Sequence, residues 1–479
     1  MAASISKTCI FNFSFRRAFL RSLRLRSCYH FSTSVCVASN SKDLLLQLGK
    51  RGIVKGAFPE ESAYDQLPIL LQSAPQTVYC GFDPTSDSLH VGNLLPLIAL
   101  LHFQRAGHNV IALIGGATAQ IGDPSGKTKE REALAQDTIS TNVTGLRDSL
   151  QRVFTNHNLY YSSGQKLGTI NVLNNLSWYK QRNVVEFVST VGRHFRMGTM
   201  LSRHSVQSRL KSPEGMSLTE FSYQMFQSYD FYYLNQHYDC RIQLGGTDQL
   251  GNLMSGHDLI HKVTGEHVFG ITVPLITTMA GDKLGKSAGN AVWLNRDKTS
   301  PFELYQYFIR QEDASVERLL KLLTFLPISE IEHIMEIHWK EPEKRIAQKR
   351  LAAEVTKLTH GKDGLETAKR CTHAFYHSSV KALEEMSEEE LQELFREAPF
   401  CELLLESGTT ILDMCRKAKA IPDGPKGYQM IADGGVWINQ SQVNNPEQVL
   451  VVGQHILRND LSLLRIGKKN FYIVKWLHI

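Results

Sequence analysis

The sequence predicts an α/β fold built on a parallel sheet, followed by a helical domain and a small α+β module. Three observations carry that expectation. First, residues 77–83 have the apolar character of a buried strand, 84–88 form a turn-rich link, about 89–106 suit an apolar helix, and 109–114 make a second strand ending at Gly115-Gly116. Such a β-α-β unit calls for a parallel pair, with ligands at the carboxyl ends of its strands. Second, from 301 to about 400 the pattern is almost wholly helical with charged faces. Third, beyond about 408 it changes to two short helices and then strands at 436–439, 461–466 and 471–476.

The first 40 residues stand apart. They contain Lys7, Arg16, Arg17, Arg21, Arg24 and Arg26, and no acid precedes Asp43. Rich in Ser, with Phe and Leu interleaved, the stretch has the composition of a mitochondrial transit peptide and lacks the unbroken apolar run of a secretory signal. Removing those six from the 53 basic residues leaves the 47 acidic residues balanced, so the formal charge of +6 belongs to this leader. Any polynucleotide footprint on the remainder must be local. No run approaches the roughly 20 apolar residues of a membrane helix. The eight cysteines include no C-x-x-C pair, which argues against a zinc knuckle or a disulfide framework and fits a reducing compartment. The expected division is a leader at 1–40, a Rossmann-like parallel-sheet catalytic domain at 41–300 with a helical insertion around 133–211, an α-helical domain at 301–407, and an α+β module at 408–479.

Within the first β-α-β unit, Tyr79-Cys80-Gly81-Phe82-Asp83-Pro84-Thr85 is followed by His90-Val91-Gly92-Asn93. His90 is expected at the start of the helix, where free backbone N–H groups and the helix dipole favour anions, so it can donate to a phosphate. Gly92 leaves room for a nucleotide against the backbone. Taken alone, a surface histidine near a helix cap is the simpler reading. Lys283-Leu284-Gly285-Lys286-Ser287 occupies a Gly-flanked polar loop, and two lysines three apart suit closure on a polyphosphate. A solvated charged turn would have the same composition. Gly122-Asp123-Pro124-Ser125-Gly126-Lys127-Thr128 mimics a Walker A loop, but three residues separate the glycines where four are required.

Further along, Tyr223, Gln227 and Asp230 recur at i, i+4 and i+7, which puts them on one helix face, polar within an apolar segment. Such a face lines a pocket, although core packing is the plain alternative for Tyr223. Gln243-Leu244-Gly245-Gly246-Thr247-Asp248-Gln249 ends a strand with two glycines and a carboxylate, a set suited to ribose hydroxyls.

The pairing of H-V-G-N with a later K-L-G-K-S resembles the two signature motifs of class I aminoacyl-tRNA synthetases. Y-C-G-F-D-P-T, G-D-P-S-G-K, Y-Q-x-x-Q-x-Y-D, Q-L-G-G-T-D-Q and K-L-G-K-S stand in the order and spacing of the bacterial and organellar type of tyrosyl-tRNA synthetase, over nearly all of residues 45–479. The resemblance implies ATP-dependent activation of L-tyrosine and its transfer to tRNA-Tyr. By it, Tyr79 and Asp230 would bind the substrate phenol, Asp123, Tyr223 and Gln227 its ammonium, with Gln243 near the carboxylate. Asp83 would face the adenylate, Thr85 and His90 the ATP phosphates, and Gly246 and Asp248 the ribose. Lys127, Arg131, Lys283, Lys286 and Ser287 would meet the pyrophosphate, with Mg2+ on the ATP phosphates and no cluster of protein ligands for it. Asn93 departs from the family's usual histidine, yet its amide can still donate to a ribose oxygen. Pro96, in the first turn, removes one backbone donor.

The family also implies a homodimer and RNA contacts in the last two domains, while the leader points to residence in the mitochondrial matrix and the lack of a long apolar run to no membrane association. Between Glu186 and Glu214, Arg193, His194, Arg196, Arg203, His204, Arg209 and Lys211 form an acid-free stretch suited to an acceptor stem or to a subunit boundary. From Met414 onward nine Lys or Arg face four Asp or Glu, with Lys468 and Lys469 in a hairpin turn. A non-catalytic RNA-binding or splicing cofactor derived from a synthetase is the alternative, one that broken phosphate motifs would favour. A reporter fused after residues 1–45 should enter mitochondria and be trimmed, whereas changing Arg16, Arg17, Arg21, Arg24 and Arg26 to Gln should leave it cytosolic; unchanged import of that variant would remove the case for a transit peptide.

Overall fold

In the computed structural model the described residues are 44–127, 129–162, 164, 166–276, 286–287, 290–377, 384–394, 398–467 and 470–477; for 286, 287, 290, 375–377, 389 and 393 they comprise the backbone only. The expected leader, Lys283, Lys468 and Lys469 lie outside them.

Contacts divide the chain into two compact units, one running to residue 299 and including 309–359, the other formed by 300–308 and 360–479. The first is built on six strands, β1 (Gly56–Phe58), β2 (Thr77–Phe82), β3 (Asn109–Ile114), β4 (Ile170–Asn174), β5 (Cys240–Gly246) and β6 (Phe269–Val273), in the order β1-β6-β5-β2-β3-β4. Only β1 runs antiparallel, against β6. β3 and β6 are buried along almost their whole length, which is why they read as continuous apolar runs and not as alternation. From β2 the chain moves outward to β3 and β4 on one side, then returns through β5 to β6 on the other. The order therefore reverses between β2 and β5, and their carboxyl ends leave the crevice in which such sheets bind ligands.

Two expectations change here. The helix expected from residue 89 begins at Leu94, because Val91–Asn93 winds as a 3-10 turn that His90 caps. The stretch expected as a helical insertion, 133–211, contains the long helix Gln136–Tyr161 and then β4, which pairs with β3 in parallel and so belongs to the central sheet. Short helices between Leu176–Tyr179 and His204–Leu210 make up the rest.

Also in this unit, helices Asp313–Leu323 and Ile328–Lys340 bury Leu319, Leu320, Ile331 and Met335. The guanidinium of Arg51, at the end of helix Leu44–Arg51, donates to the carbonyls of Lys321 (3.2 Å), Thr324 (3.0 Å) and Leu326, satisfying acceptors that helix Asp313–Leu323 leaves at its C-terminus. A two-stranded ribbon, β7 (Lys286–Ser287) with β8 (Asn290–Ala291), follows β6 in the sequence.

The second unit carries a sheet in the order β11-β10-β12-β13-β9, formed by β9 (Phe400–Leu404), β10 (Val436–Ile438), β11 (Ser441–Val443), β12 (Leu461–Ile466) and β13 (Asn470–Leu477). Helices Ile411–Lys417 and Pro425–Ala432 pack on it through Ile411, Met414, Cys415 and Ile431 against Ile438, Leu464 and Val474. β9 pairs in parallel with β13, so a boundary between 407 and 408 runs through this sheet. The helical stretch expected as a domain at 301–407 is likewise shared, since 309–359 groups with the first unit. Gly361, at φ 76° and ψ −174°, breaks the long helix Ile346–His377 close to that division. Among the described residues no helix is long and apolar enough to cross a membrane.

Gly145 lies inside helix Gln136–Tyr161, yet a Cβ there would stand 2.0 Å from the carbonyl oxygen of Asp87. Alanine in a helix interior normally gains up to about 1 kcal/mol over glycine. Here the link after β2 leaves no space, so Gly145→Ala should lower the thermal midpoint by several degrees, a loss of about 2 kcal/mol. Gly251→Ala, with no atom nearer than 3.6 Å, should leave it level or raise it. Equal midpoints for both variants in a thermal melt would contradict this packing.

Candidate functional site

At the crevice between β2 and β5 the chain encloses a cleft of about 310 Å³. Tyr79, Asp83, Thr85, His90, Asn93, Asp123, Lys127, Arg131, Tyr223, Gln227, Asp230, Gln243, Gly246 and Asp248 all line it. The residues singled out from sequence thus converge, although they come from segments far apart in the chain. Of the remaining candidates, Lys283 lies outside the described residues, and Lys286 and Ser287 are placed by backbone alone in β7.

One end of the cleft is an apolar pocket with two polar groups. Tyr79, from β2, is 1% exposed, and its hydroxyl has no hydrogen-bond partner among the described residues. Its ring rests 5.3 Å from that of Phe231. Asp230, on helix Leu218–Tyr238, accepts from Asn175 Nδ2 (3.0 Å) and Trp178 Nε1 (2.9 Å). Burial pushes the Asp230 carboxyl up to about 7 against these donors, and burial together with Asp230 pushes the Tyr79 phenol well above its usual range. A buried acceptor beside an unsatisfied hydroxyl is costly unless a ligand completes the bonding, and a ligand hydroxyl on a flat apolar body does so.

Beside this pocket sit two more carboxylates, Asp123 buried and Asp83 half-buried. Asp83, just past β2, accepts from Thr118 Oγ1 and from the Tyr223 hydroxyl, each at 2.7 Å, and burial raises its pKa to about 6. Gly115 makes the first contact possible: a Cβ there would lie 1.9 Å from Asp83 Oδ1 and 2.3 Å from Thr118 Oγ1. Asp123 accepts from the Ser125 amide (3.0 Å) and Gln249 Nε2 (2.6 Å), while Asn252 donates to Gln227 Oε1 at 2.9 Å. Gln243, 2% exposed, keeps an oxygen without a partner among the described residues. Three carboxylates with neutral donors make this part of the cleft attractive to a cation such as an ammonium.

The opposite end favours anions. The G-D-P-S-G string is a turn, with Gly122 at φ 86° and Gly126 at φ 67°, and Lys127 N bonds Pro124 O at 3.1 Å. It delivers Asp123 and Lys127 to the cleft, and Arg131 Nε is held on the Asp123 carbonyl at 3.1 Å. His90 accepts from the Gly92 amide through Nδ1 (3.0 Å), which assigns the proton of the neutral ring to Nε2, a donor. Asn93 returns the contact, its Oδ1 accepting from the His90 amide at 3.0 Å, so its oxygen belongs to the turn. Val91 N to Val292 O (2.9 Å) and Leu294 N to Leu89 O (2.8 Å) lace the segment after K-L-G-K-S to H-V-G-N. A Cβ on Gly246 would stand 2.4 Å from Asp248 Oδ1, so the missing side chain leaves that carboxylate its place.

Thr118, Asn175, Trp178, Gln249 and Asn252 were not singled out from sequence. Asn175 and Trp178 follow β4 directly; reading 170–174 as the third strand of a parallel sheet would have placed them at a carboxyl end.

The family described as tRNA synthetases class I (W and Y) matches residues 71–377. The mitochondrial tyrosine–tRNA ligase of Mus musculus is 64% identical over 451 residues, covering 93% of this chain and 96% of that protein. Among solved structures, a C-terminally truncated mitochondrial tyrosyl-tRNA synthetase from Coccidioides posadasii has a TM-score of 0.61 at 33% identity, over 74% of this chain and 96% of its own. A C-terminally truncated counterpart from Aspergillus nidulans has a TM-score of 0.64 at 29% identity, over 76% and 99%.

The buried carboxyls have a consequence for stability. Asp230 and Asp83 titrate above the ordinary carboxylate value of 3.8, so as pH rises from about 4 towards 7 the unfolded chain gives up protons that the folded chain retains. Stability should therefore fall across that window, and Asp230→Asn should flatten the fall. An identical slope of thermal midpoint against pH in variant and parent would show that Asp230 titrates as an ordinary carboxyl.

Proposed function

The chain belongs to the class I tRNA synthetases of the tryptophan and tyrosine group, and on that premise we propose that its cleft activates L-tyrosine with ATP and passes it to the 3′ end of tRNA-Tyr, as a tyrosine–tRNA ligase of mitochondria. The observation that carries the choice of amino acid is the Tyr79–Asp230 pair. Tyrosine's hydroxyl can donate to Asp230 and accept from Tyr79; phenylalanine would leave the buried Tyr79 hydroxyl unpaired and Asp230 with only its protein donors.

The residues next to that pair suit the rest of the substrate. The Tyr223 hydroxyl donates to Asp83, so its oxygen still has a lone pair for an ammonium, alongside the Asp123 carboxylate and Gln227 Oε1. Gln243 would meet the carboxylate. In the first step a tyrosine carboxylate oxygen attacks the α-phosphorus, the bond to the bridging oxygen breaks, and pyrophosphate departs. In the second, a terminal ribose hydroxyl of the tRNA attacks the carbonyl carbon and AMP leaves. Both steps need reactants held in line and negative charge stabilised as it builds up, without a covalent nucleophile. Thr85 and His90 Nε2 would donate to the ATP phosphates, Asn93, Gly246 and Asp248 would meet the ribose, and Lys127, Arg131, Lys283, Lys286 and Ser287 would neutralise the pyrophosphate. The oxygens of Asp83 and Asp123 are engaged by protein donors. Mg2+ would therefore ride on the phosphate oxygens, lowering the charge that the cations must offset.

For tRNA, the acid-free stretch is smaller than its composition implies. Arg209 is buried against Glu220, and Arg203 pairs with Asp258 at 3.0 Å, which leaves Arg193, His194, Arg196, His204 and Lys211. Exposed Val184, Val185, Val188, Met197 and Leu218 lie in the same part of the sequence and support a homodimer formed there. The helical segment would take the anticodon side, residues 408–479 would add RNA contacts, and the matrix would be the working compartment.

Pyrophosphate–ATP exchange run with each of the twenty amino acids should respond to tyrosine. Asp230→Ala should lower kcat/KM for tyrosine by about 10²-fold, the scale of an unsatisfied buried group, with the KM for ATP nearly unchanged. Normal tyrosine activation by that variant would show that the phenol binds elsewhere.

A further inference from the structure

The anion end and the amino-acid end of the cleft are joined by a contact that neither half of the chemistry uses. Ser217 caps helix Leu218–Tyr238, the element carrying Tyr223, Gln227 and Asp230, by accepting from the Glu220 amide at 3.2 Å. The same hydroxyl donates its proton to Glu130 Oε1 at 2.6 Å. Glu130 directly precedes Arg131 and stands three residues after Lys127, in the loop that supplies the cations of the anion end.

That helix start is itself firmly anchored. Glu220 receives Arg209 through two parallel bonds, Nε and Nη2, both at 2.8 Å, with the two side chains 1% and 4% exposed. Arg209 Nη1 also donates to Ser212 Oγ at 2.6 Å. Glu220 first, and Glu130 to a smaller degree, favour the charged guanidinium, so Glu130 faces the same cation as the helix it touches. A carboxylate at a helix N-terminus is favoured by the dipole as well. Glu130, itself exposed, is therefore tied through Ser217 to a helix start that the buried Arg209–Glu220 pair anchors, while its neighbour Arg131 is tied through Nε to the Asp123 carbonyl.

We propose that Glu130 is a positioning residue, which through Ser217 fixes the loop of Lys127 and Arg131 at a set distance from the helix that holds the amino acid. The proposal rests on the assignment of this cleft to tyrosine activation. Its carboxylate touches no substrate in this role; it sets where the two cations stand when pyrophosphate departs. The effect belongs to the transition state, since the phenol is bound by Asp230 on the anchored helix and Tyr79 on β2, while Asp123, the one ammonium contact that the loop itself carries, is held separately by Gln249 at 2.6 Å.

The test is pyrophosphate–ATP exchange with the full-length protein and its Glu130→Ala, Ser217→Ala and double variants, alongside tyrosine binding by equilibrium dialysis. Misplacing the loop should lower kcat for activation by about tenfold or more in Glu130→Ala, with tyrosine affinity held within about twofold. The double variant should be no slower than the slower single variant, because both substitutions remove one link. Glu130→Gln, whose amide oxygen still accepts from Ser217, should recover much of the rate, and Glu132→Ala should match the parent. An unchanged kcat in Glu130→Ala, losses that multiply in the double variant, or a parallel loss of tyrosine affinity would each overturn the proposal. Absence of tyrosine-dependent exchange in the parent itself would instead defeat the functional assignment.

Discussion

Three carboxylates, Asp83, Asp123 and Asp230, share one buried cleft, and the contacts that hold them come from neutral donors. Hydroxyls of Thr118 and Tyr223, amides of Asn175 and Gln249, the indole of Trp178 and one backbone N–H stand where cations would stand in an ordinary ion pair. Neutral donors fix geometry without cancelling charge. That part of the cleft is consequently left short of positive charge, which the ammonium of the proposed amino-acid substrate would supply. Rigidity around the site follows from the same arrangement, since the donors arrive from several elements. The carboxylate of Asp83 stands just past β2, the segment after β3 brings Thr118, the segment after β4 brings Asn175 and Trp178, helix Leu218–Tyr238 brings Tyr223, and the turn after β5 brings Gln249.

This explains the irregularities of the surrounding chain. Gly115 is needed where a side chain would push Thr118 away from Asp83, and the left-handed Gly122 and Gly126 turn the chain so that Asp123 points inward. The anion end follows the opposite rule, with N–H groups and cations gathered on turns. The bond from Gly92 to Nδ1 leaves His90 Nε2 as the donor, the tautomer that the proposed phosphate contact would need.

The parts legible in the sequence were those whose chemistry is local. Y-Q-x-x-Q-x-Y-D needs only helical spacing to put its polar residues on one face, and H-V-G-N needs only a β-α turn. β4 was hidden because its five residues lie between a helix of 26 residues and a set of short ones, so its strand character was averaged into a helical stretch. Asn175 and Trp178 were lost with it, since nothing in their own neighbourhood marks them as ligands of a carboxylate more than fifty residues away. The division near residue 408 failed to appear for a related reason. A parallel pairing between β9 and β13 leaves no turn signal between the two strands, and composition changes at a point that the sheet ignores.

That pairing bears on how the chain is made. β9 emerges from the ribosome well ahead of β13, the strand it needs, and β12 also waits for β13 on its other side. During synthesis, the edge of β9 therefore remains a template without its complement, open to chaperones and to self-association. A premature stop codon that spares every residue of the cleft, but removes β13, would strip the sheet of the second unit of the strand that joins β9 to β12. Carriers of such an allele would be expected to lose the protein through quality control, with its catalytic pocket chemically intact.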